Sequence, residues 1–136
     1  MEDTGLLLTL AAGENYLTSE LYKSFVLGKI SVNKGMMTEN IVAQMLTANN
    51  RPLRFYETIV KKDGKKTKYE VDFLLRNGDK VVPVEVKSGN CKEHGSLDYY
   101  MNKFKSLSER GIVLTKGDLR VTDDYLYFPL FMAIFL

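Results

Sequence analysis

Cysteine, histidine and long apolar runs are scarce in this 136-residue chain. One cysteine, Cys91, leaves no internal disulfide framework and makes a reducing compartment, the cytoplasm, the expected location. One histidine, His94, beside one cysteine cannot build a structural zinc site. No stretch approaches the roughly 20 apolar residues of a membrane-spanning helix, and the N-terminus lacks the order of a signal peptide. No membrane partner is therefore expected. There is no Gly-x-x-x-x-Gly-Lys-Ser/Thr loop, so this chain has no P-loop site for ATP. Internal repeats and low-complexity linkers are absent too. What remains is 45% apolar and 26% charged, the profile of one globular domain over residues 1–136.

The net charge of +2 hides an asymmetry. Residues 61–68 hold five lysines and Asp63, a charge of +4, which leaves the rest of the chain at −2. The positive charge is one local patch. Lys61, Lys62, Lys65 and Lys66 could grip a phosphate backbone, with Lys103 and Lys105 a second candidate place. The competing reading is a solvated, solubilising hairpin tip.

Hydrophobic periodicity places the elements. Residues 4–12 are apolar, 14–27 suit an amphipathic helix, and 28–35 suit a loop. Thr38 is the expected N-cap of a helix over 39–48, ended by Asn49-Asn50 and Pro52, with Val42, Ala43, Met45 and Leu46 inward. Glu39 falls on that inward stripe. Strands are expected at 54–60, 67–75 and 80–88, with turns at Asp63-Gly64 and over 76–80. A polar loop over 88–95 leads to a helix over 96–107, with Leu97, Tyr100, Met101, Phe104 and Leu107 inward. A buried strand at 112–114 and one more strand within 120–127 follow. Residues 128–136 are expected to form a packed final element, or else a homodimer contact. The order helix, three-strand meander, helix, strand predicts an α/β fold with a central mixed sheet.

The chemistry concentrates in the last two strands of the meander. Side chains alternate faces along a strand. Val82, Val84 and Val86 therefore share one face, and Glu85 and Lys87 the other. Likewise Tyr69, Val71, Phe73 and Leu75 oppose Glu70 and Asp72. If the polar faces align, Asp72, Glu85 and Lys87 converge in a strongly apolar sheet, where ionised groups are costly unless paired or bound to a cation. Asp72 and Glu85 could supply oxygens to one Mg²⁺ or Mn²⁺. Lys87 could orient or deprotonate an attacking water, or neutralise charge on a phosphoryl group. Glu39, at a helix N-terminus whose dipole favours its ionised form, could complete the set. A Glu-x-Lys triplet by itself is a weak signal, and edge-strand charges are commonly solvated gatekeepers.

These residues resemble a known pattern. Asp, then Glu-x-Lys after a hairpin, with Glu on the preceding helix, is similar to the restriction-endonuclease-like PD-(D/E)XK nuclease superfamily. Five segments together resemble an uncharacterised domain that lies C-terminal to the ATPase module of many bacterial and archaeal AAA-type ATPases. They are Asp3-Thr4-Gly5-Leu6-Leu7, Gly35 to Asn40 with Val42-Ala43, Glu70-Val71-Asp72-Phe73, Val84-Glu85-Val86-Lys87-Ser88-Gly89, and Pro129-Leu130. Val71 stands where the superfamily pattern has proline. The resemblance implies a restriction-endonuclease-like fold with Glu39, Asp72, Glu85 and Lys87 as active-site residues and Asp72 and Glu85 as metal ligands. It implies Mg²⁺-dependent phosphodiester hydrolysis on DNA or another nucleic acid. The alternative is a non-catalytic module that binds nucleic acid or a partner, accessory to an ATPase. With no P-loop, the chain is expected to be a fragment of such an ATPase or a remnant without it. Tyr69, Tyr99, Tyr100 and Lys103 could flank a nucleic-acid groove, although Tyr99 and Tyr100 are more simply core or rim residues. His94 is expected as a surface histidine, and Cys91 beside it makes no nucleophile–base pair without a contact.

Overall fold

The computed structural model describes residues 34–62, 64–89 and 94–136. The elements expected over 4–12 and 14–27, the motif at 3–7, Asp63 and Cys91 lie outside the described residues.

Among the described residues the first helix, α1, spans Lys34–Ala48 and buries Val42 and Leu46. It begins earlier than expected. Thr38 is no cap: its hydroxyl donates back to the Lys34 carbonyl at 2.7 Å, inside the helix. Met36 and Met37 are good helix formers, and the helix runs back through them to Lys34 and Gly35, the end of the expected loop. The C-terminus follows expectation. Asn50 adopts φ 56°, Arg51 N–H donates to Leu46 O at 2.9 Å, and Asn50 N–H donates to Thr47 O at 3.0 Å. That is a Schellman closure with asparagine in the left-handed position, followed by Pro52.

Strands β1 (Tyr56–Lys62) and β2 (Lys65–Val71) form an antiparallel ribbon of their own. Gly64, at φ 76°, serves its turn. Strands β3 (Phe73–Asn77), β4 (Lys80–Val86), β5 (Gly111–Thr115), β6 (Arg120–Val121) and β7 (Tyr125–Pro129) form a five-stranded sheet in the order β3-β4-β5-β7-β6. β4, β5 and β7 run parallel; the two edge pairings are antiparallel. Gly78, at φ 58°, makes the β3–β4 turn. The fold is mixed α/β, with a mixed sheet flanked by helices.

The expected single strand over 67–75 is two strands, split at Asp72. The split reverses the parity. Phe73 and Leu75 pack with Val84, Val86 and α1, whereas Val71 packs on the opposite layer with Leu97 and Tyr100. A continuous strand would have held Val71, Phe73 and Leu75 on one face. The region expected to hold one strand over 120–127 holds the β6–β7 hairpin.

Helix α2 (Gly95–Lys103) crosses from β4 to β5 and buries Leu97 and Tyr100 against Val71, Val113 and Tyr127. It ends before Phe104, and Leu107 is exposed rather than inward. The cause is pairing: Leu107 O accepts from Val81 N–H at 2.9 Å and Glu109 N–H donates to Val81 O at 3.0 Å. Backbone committed to β4 cannot continue a helix. A 3₁₀ helix, Leu130–Phe135, buries Ala133 and closes the α1 side. The side chains of Asn49 and Arg51 donate to the carbonyls of Ile134 and Leu136 and tie it to the end of α1. Complete burial of Leu46, Leu97 and Leu114 contributes about 1.5–3 kcal/mol for each side chain.

Candidate functional site

Asp72 sits at the single-residue break between β2 and β3. As the ribbon leaves the sheet, β4 loses its backbone partner there. The Asp72 carboxylate replaces it: Oδ2 accepts from Val86 N–H at 2.6 Å. A carboxylate is a strong acceptor for a strand amide and needs no second strand. Lys87 N–H turns the other way and donates to Leu114 O at 2.8 Å.

Glu85 occupies β4, the second strand of the sheet, with β5 beside it. It is 5% exposed and paired with Val113. Its Oε1 accepts from Lys87 Nζ at 2.5 Å. Its Oε2 is buried and has no hydrogen-bond partner among the described residues. The alternation read in the sequence therefore holds along β4: Val84 and Val86 face α1, and Glu85 faces the layer of α2.

Glu39 joins the group from α1. Burial pushes its carboxyl up from the usual range, and the charges of Glu70 and Glu85 add to this, while Lys87 opposes it. The first turn of α1 holds no acidic residue, so the helix dipole does not hold Glu39 ionised as its expected position implied. Asp72 is pushed up to about 7, first by burial, with Glu85 and Glu39 adding to the shift; the Val86 hydrogen bond and Lys87 oppose it. Glu39, Asp72, Glu85 and Lys87 thus share one electrostatic neighbourhood.

Two carboxylates, one with an unpartnered buried oxygen, suit a hard cation that keeps several waters. Asp72 and Glu85 are the residues that could hold it. Among the described residues no group of three or more His, Cys, Asp or Glu side chains is placed so that it could together hold a metal ion. A cleft of about 600 Å³ opens elsewhere, at the end of the sheet where β4 and β5 begin. Arg51, Arg76, Val82, Arg110 and Ile112 line it, and none of the four clustered residues does.

Lys61, Lys62, Lys65 and Lys66 are all exposed at the ribbon tip. Lys103 lies apart, on α2. Its Nζ donates to Tyr56 OH at 3.1 Å and stands 5.5–5.7 Å from the ring centroids of Tyr56, Tyr99 and Phe104. Those rings already hold the ammonium by cation–π attraction.

One network was not anticipated. His94 is no free surface side chain: its ring nitrogens bond Asp98 at 3.0 Å and the Tyr127 hydroxyl at 2.9 Å. Tyr125 donates to the same Asp98 carboxylate. Burial, then the Asp98 hydrogen bond, pushes the Tyr125 phenol well above its ordinary value. The signal available in the sequence was the four-residue spacing of His94 and Asp98 across a helix start. The two tyrosines come from β7, which no local pattern connects to them.

Among the described residues no helix is long and apolar enough to cross a membrane. No curated protein matches the chain. The family model described as a domain of unknown function, DUF4143, covers residues 34–132, from the start of α1 into the 3₁₀ helix. The chain therefore belongs to the DUF4143 family, whose domain is commonly found at the C-terminus of AAA-type ATPases.

Proposed function

We propose that this domain is a Mg²⁺- or Mn²⁺-dependent phosphodiesterase of the restriction-endonuclease-like PD-(D/E)XK type, acting on nucleic acid. The observation that carries the reading is Glu85, buried on the sheet, with Lys87 on one carboxylate oxygen and no partner among the described residues on the other. A structural ion pair has no need of the open oxygen; a cation site does. The element order supports the reading too: helix, antiparallel meander broken at the aspartate, crossover helix, parallel strand.

In this reading Asp72 and Glu85 would hold the cation, which when bound would supply Lewis-acid stabilisation of phosphoryl charge. The ammonium of Lys87, fixed by Glu85, donates hydrogen bonds to the attacking water and to the phosphoryl oxygens. Water adds to phosphorus, the bond to one sugar oxygen breaks, and the proton that the water gives up passes through solvent to that oxygen. Glu39, less readily ionised than an ordinary glutamate, accepts a hydrogen bond from the water and orients it.

The test is hydrolysis of end-labelled DNA with Mg²⁺, with Mn²⁺ and with EDTA. Lys87→Ala and Asp72→Asn should each lower turnover by about 100-fold or more while substrate binding changes little. Folding is checked by circular dichroism. Cleavage that survives EDTA, or both substitutions, would come from another site. The second reading is a non-catalytic nucleic-acid- or partner-binding module accessory to an AAA-type ATPase. Family membership and the absence of a three-ligand cluster among the described residues favour it. Metal-dependent binding without any hydrolysis would decide for it.

A further inference from the structure

The register of the β1–β2 ribbon places its lysines unusually. Lys61 is directly opposite Lys66, and Lys62 directly opposite Lys65. Successive residues face opposite sides, so one like-charged pair stands on each face of the ribbon. Directly opposed like charges destabilise a ribbon. Further in, Lys68 is neutralised by Glu57 at 3.1 Å and Glu70 at 2.8 Å. The four tip lysines have no acidic partner among the described residues.

Cations on both faces limit the polyanion that can use them. A flat anionic surface meets one face and leaves the other pair in water. A groove walled by phosphates on both sides meets both. The major groove of B-form DNA, about 12 Å wide, admits a two-stranded ribbon, whereas that of A-form RNA is deep and too narrow for side chains to read. Aromatic contacts hold the base of the ribbon against α2. Tyr69 stacks on Tyr99 at 4.1 Å, and Tyr56 sets its edge against Tyr100 at 5.0 Å.

We propose that the β1–β2 ribbon inserts into the major groove of B-form DNA, with Lys61 and Lys66 toward one phosphate backbone and Lys62 and Lys65 toward the other. This deepens the phosphodiesterase reading and rests on it for one feature, the position of the cut. Lys66 precedes Asp72 by six residues of nearly continuous extended chain, about 20 Å. That length corresponds to about 6 base pairs of duplex. The cut therefore falls about 6 base pairs from the gripped phosphates.

The experiment measures equilibrium binding in EDTA across a salt series, on a 30-base-pair DNA duplex, the matching RNA duplex and single-stranded DNA. Two variants separate the faces: Lys61→Gln with Lys66→Gln, and Lys62→Gln with Lys65→Gln. Each should flatten the slope of log K against log salt on duplex DNA by about 1.8, as expected for the loss of two phosphate contacts and the counterion release they drive. Neither should alter binding to the RNA duplex. Hydroxyl-radical footprints should show protected phosphates on both strands across one major groove. If either double variant leaves the DNA slope unchanged, only one face engages and groove insertion is wrong. Equal losses on RNA and single strands overturn it as well. If this binding pattern holds but Mg²⁺ yields no hydrolysis, the phosphodiesterase reading and the predicted cut position fail and the grip stands. Hydrolysis inside the protected tracts overturns the spacing.

Discussion

Glu85 carries a charge on a buried strand, and the amine of Lys87 offsets its loss of water. Breaking a buried pair from one side leaves an uncompensated charge, at a cost of about 3–5 kcal/mol; the partial exposure of Lys87 lowers this to about 2. Lys87→Met should therefore destabilise the metal-free protein by that amount in urea unfolding. Saturating Mg²⁺ should restore part of the loss, because a ligand that binds only the folded state stabilises it by mass action. A Lys87→Met protein of unchanged stability would mean that the Glu85–Lys87 pair contributes nothing to the fold. Asp72 gives a pH signature. Its folded-state value, about 7, lies above its ordinary one. Stability from the protonated carboxyl is fully present below about pH 4 and is lost as pH rises through 7. The metal-free protein should lose stability across that window, and Asp72→Asn, which keeps an acceptor for Val86 N–H, should flatten the loss. A profile identical in both proteins would show that Asp72 does not titrate there. At this scale much was legible. Alternation alone put Glu85 and Lys87 on one side of a valine strand. The environment of Glu39 was not, because it depends on where α1 starts. Nor was the role of His94, whose hydroxyl partner lies 33 residues away on β7.

Elements were legible where the chain carries its own punctuation. Asn49-Asn50 before Pro52 marks the end of α1, and Asn50 takes the left-handed conformation that favours glycine. Asn50→Gly should hold or slightly raise stability, and Asn50→Val should lower it by about 1 kcal/mol, since a β-branched residue is strained at positive φ. Equal thermal midpoints for the two variants would mean that the closure contributes nothing. Gly111, at the start of β5, is a packing glycine. A Cβ there would lie 2.9 Å from a ring carbon of Tyr125 and 3.2 Å from Leu97. Gly111→Ala should cost about 1–3 kcal/mol, the usual penalty of overpacking. It should also disturb the Tyr125–Asp98–His94 network, visible as a shifted histidine NMR resonance. Boundaries set by distant partners were not legible. The end of α2 is fixed by backbone pairing with Val81, and the break at Asp72 by the departure of the ribbon from the sheet. Both are tertiary demands that override local propensity.

The molecule as a whole is two structures of unequal depth joined at Asp72. The five-stranded sheet is covered by α1 and the 3₁₀ helix on one side and by α2 on the other, and Val84, Val113 and Leu114 are fully buried at its centre. Among the described residues the ribbon packs at its base, through Tyr56, Tyr69 and Val71; toward the tip its residues are exposed or half-buried. The sequence pattern read the meander as one sheet, because hydrophobic alternation runs through Asp72 without a gap and only the packing around it reveals the division. Unequal burial implies unequal local stability, since opening free energy follows buried apolar contact. In native-state hydrogen exchange, the amides of Val84, Val86, Val113 and Leu114 should exchange only through global unfolding, with full dependence on denaturant. The amides of residues 59–62 and 64–67 should exchange through local opening, nearly independent of denaturant and at lower free energy. Binding of B-form DNA should then slow the ribbon amides and leave those of β4 and β5 at their global limit. Ribbon amides as well protected in the free protein as those of β5 would show that the tip is part of the cooperative core. In that case the cross-strand lysine pairs would be tolerated by packing, and the case for a polyanion as their partner would be lost.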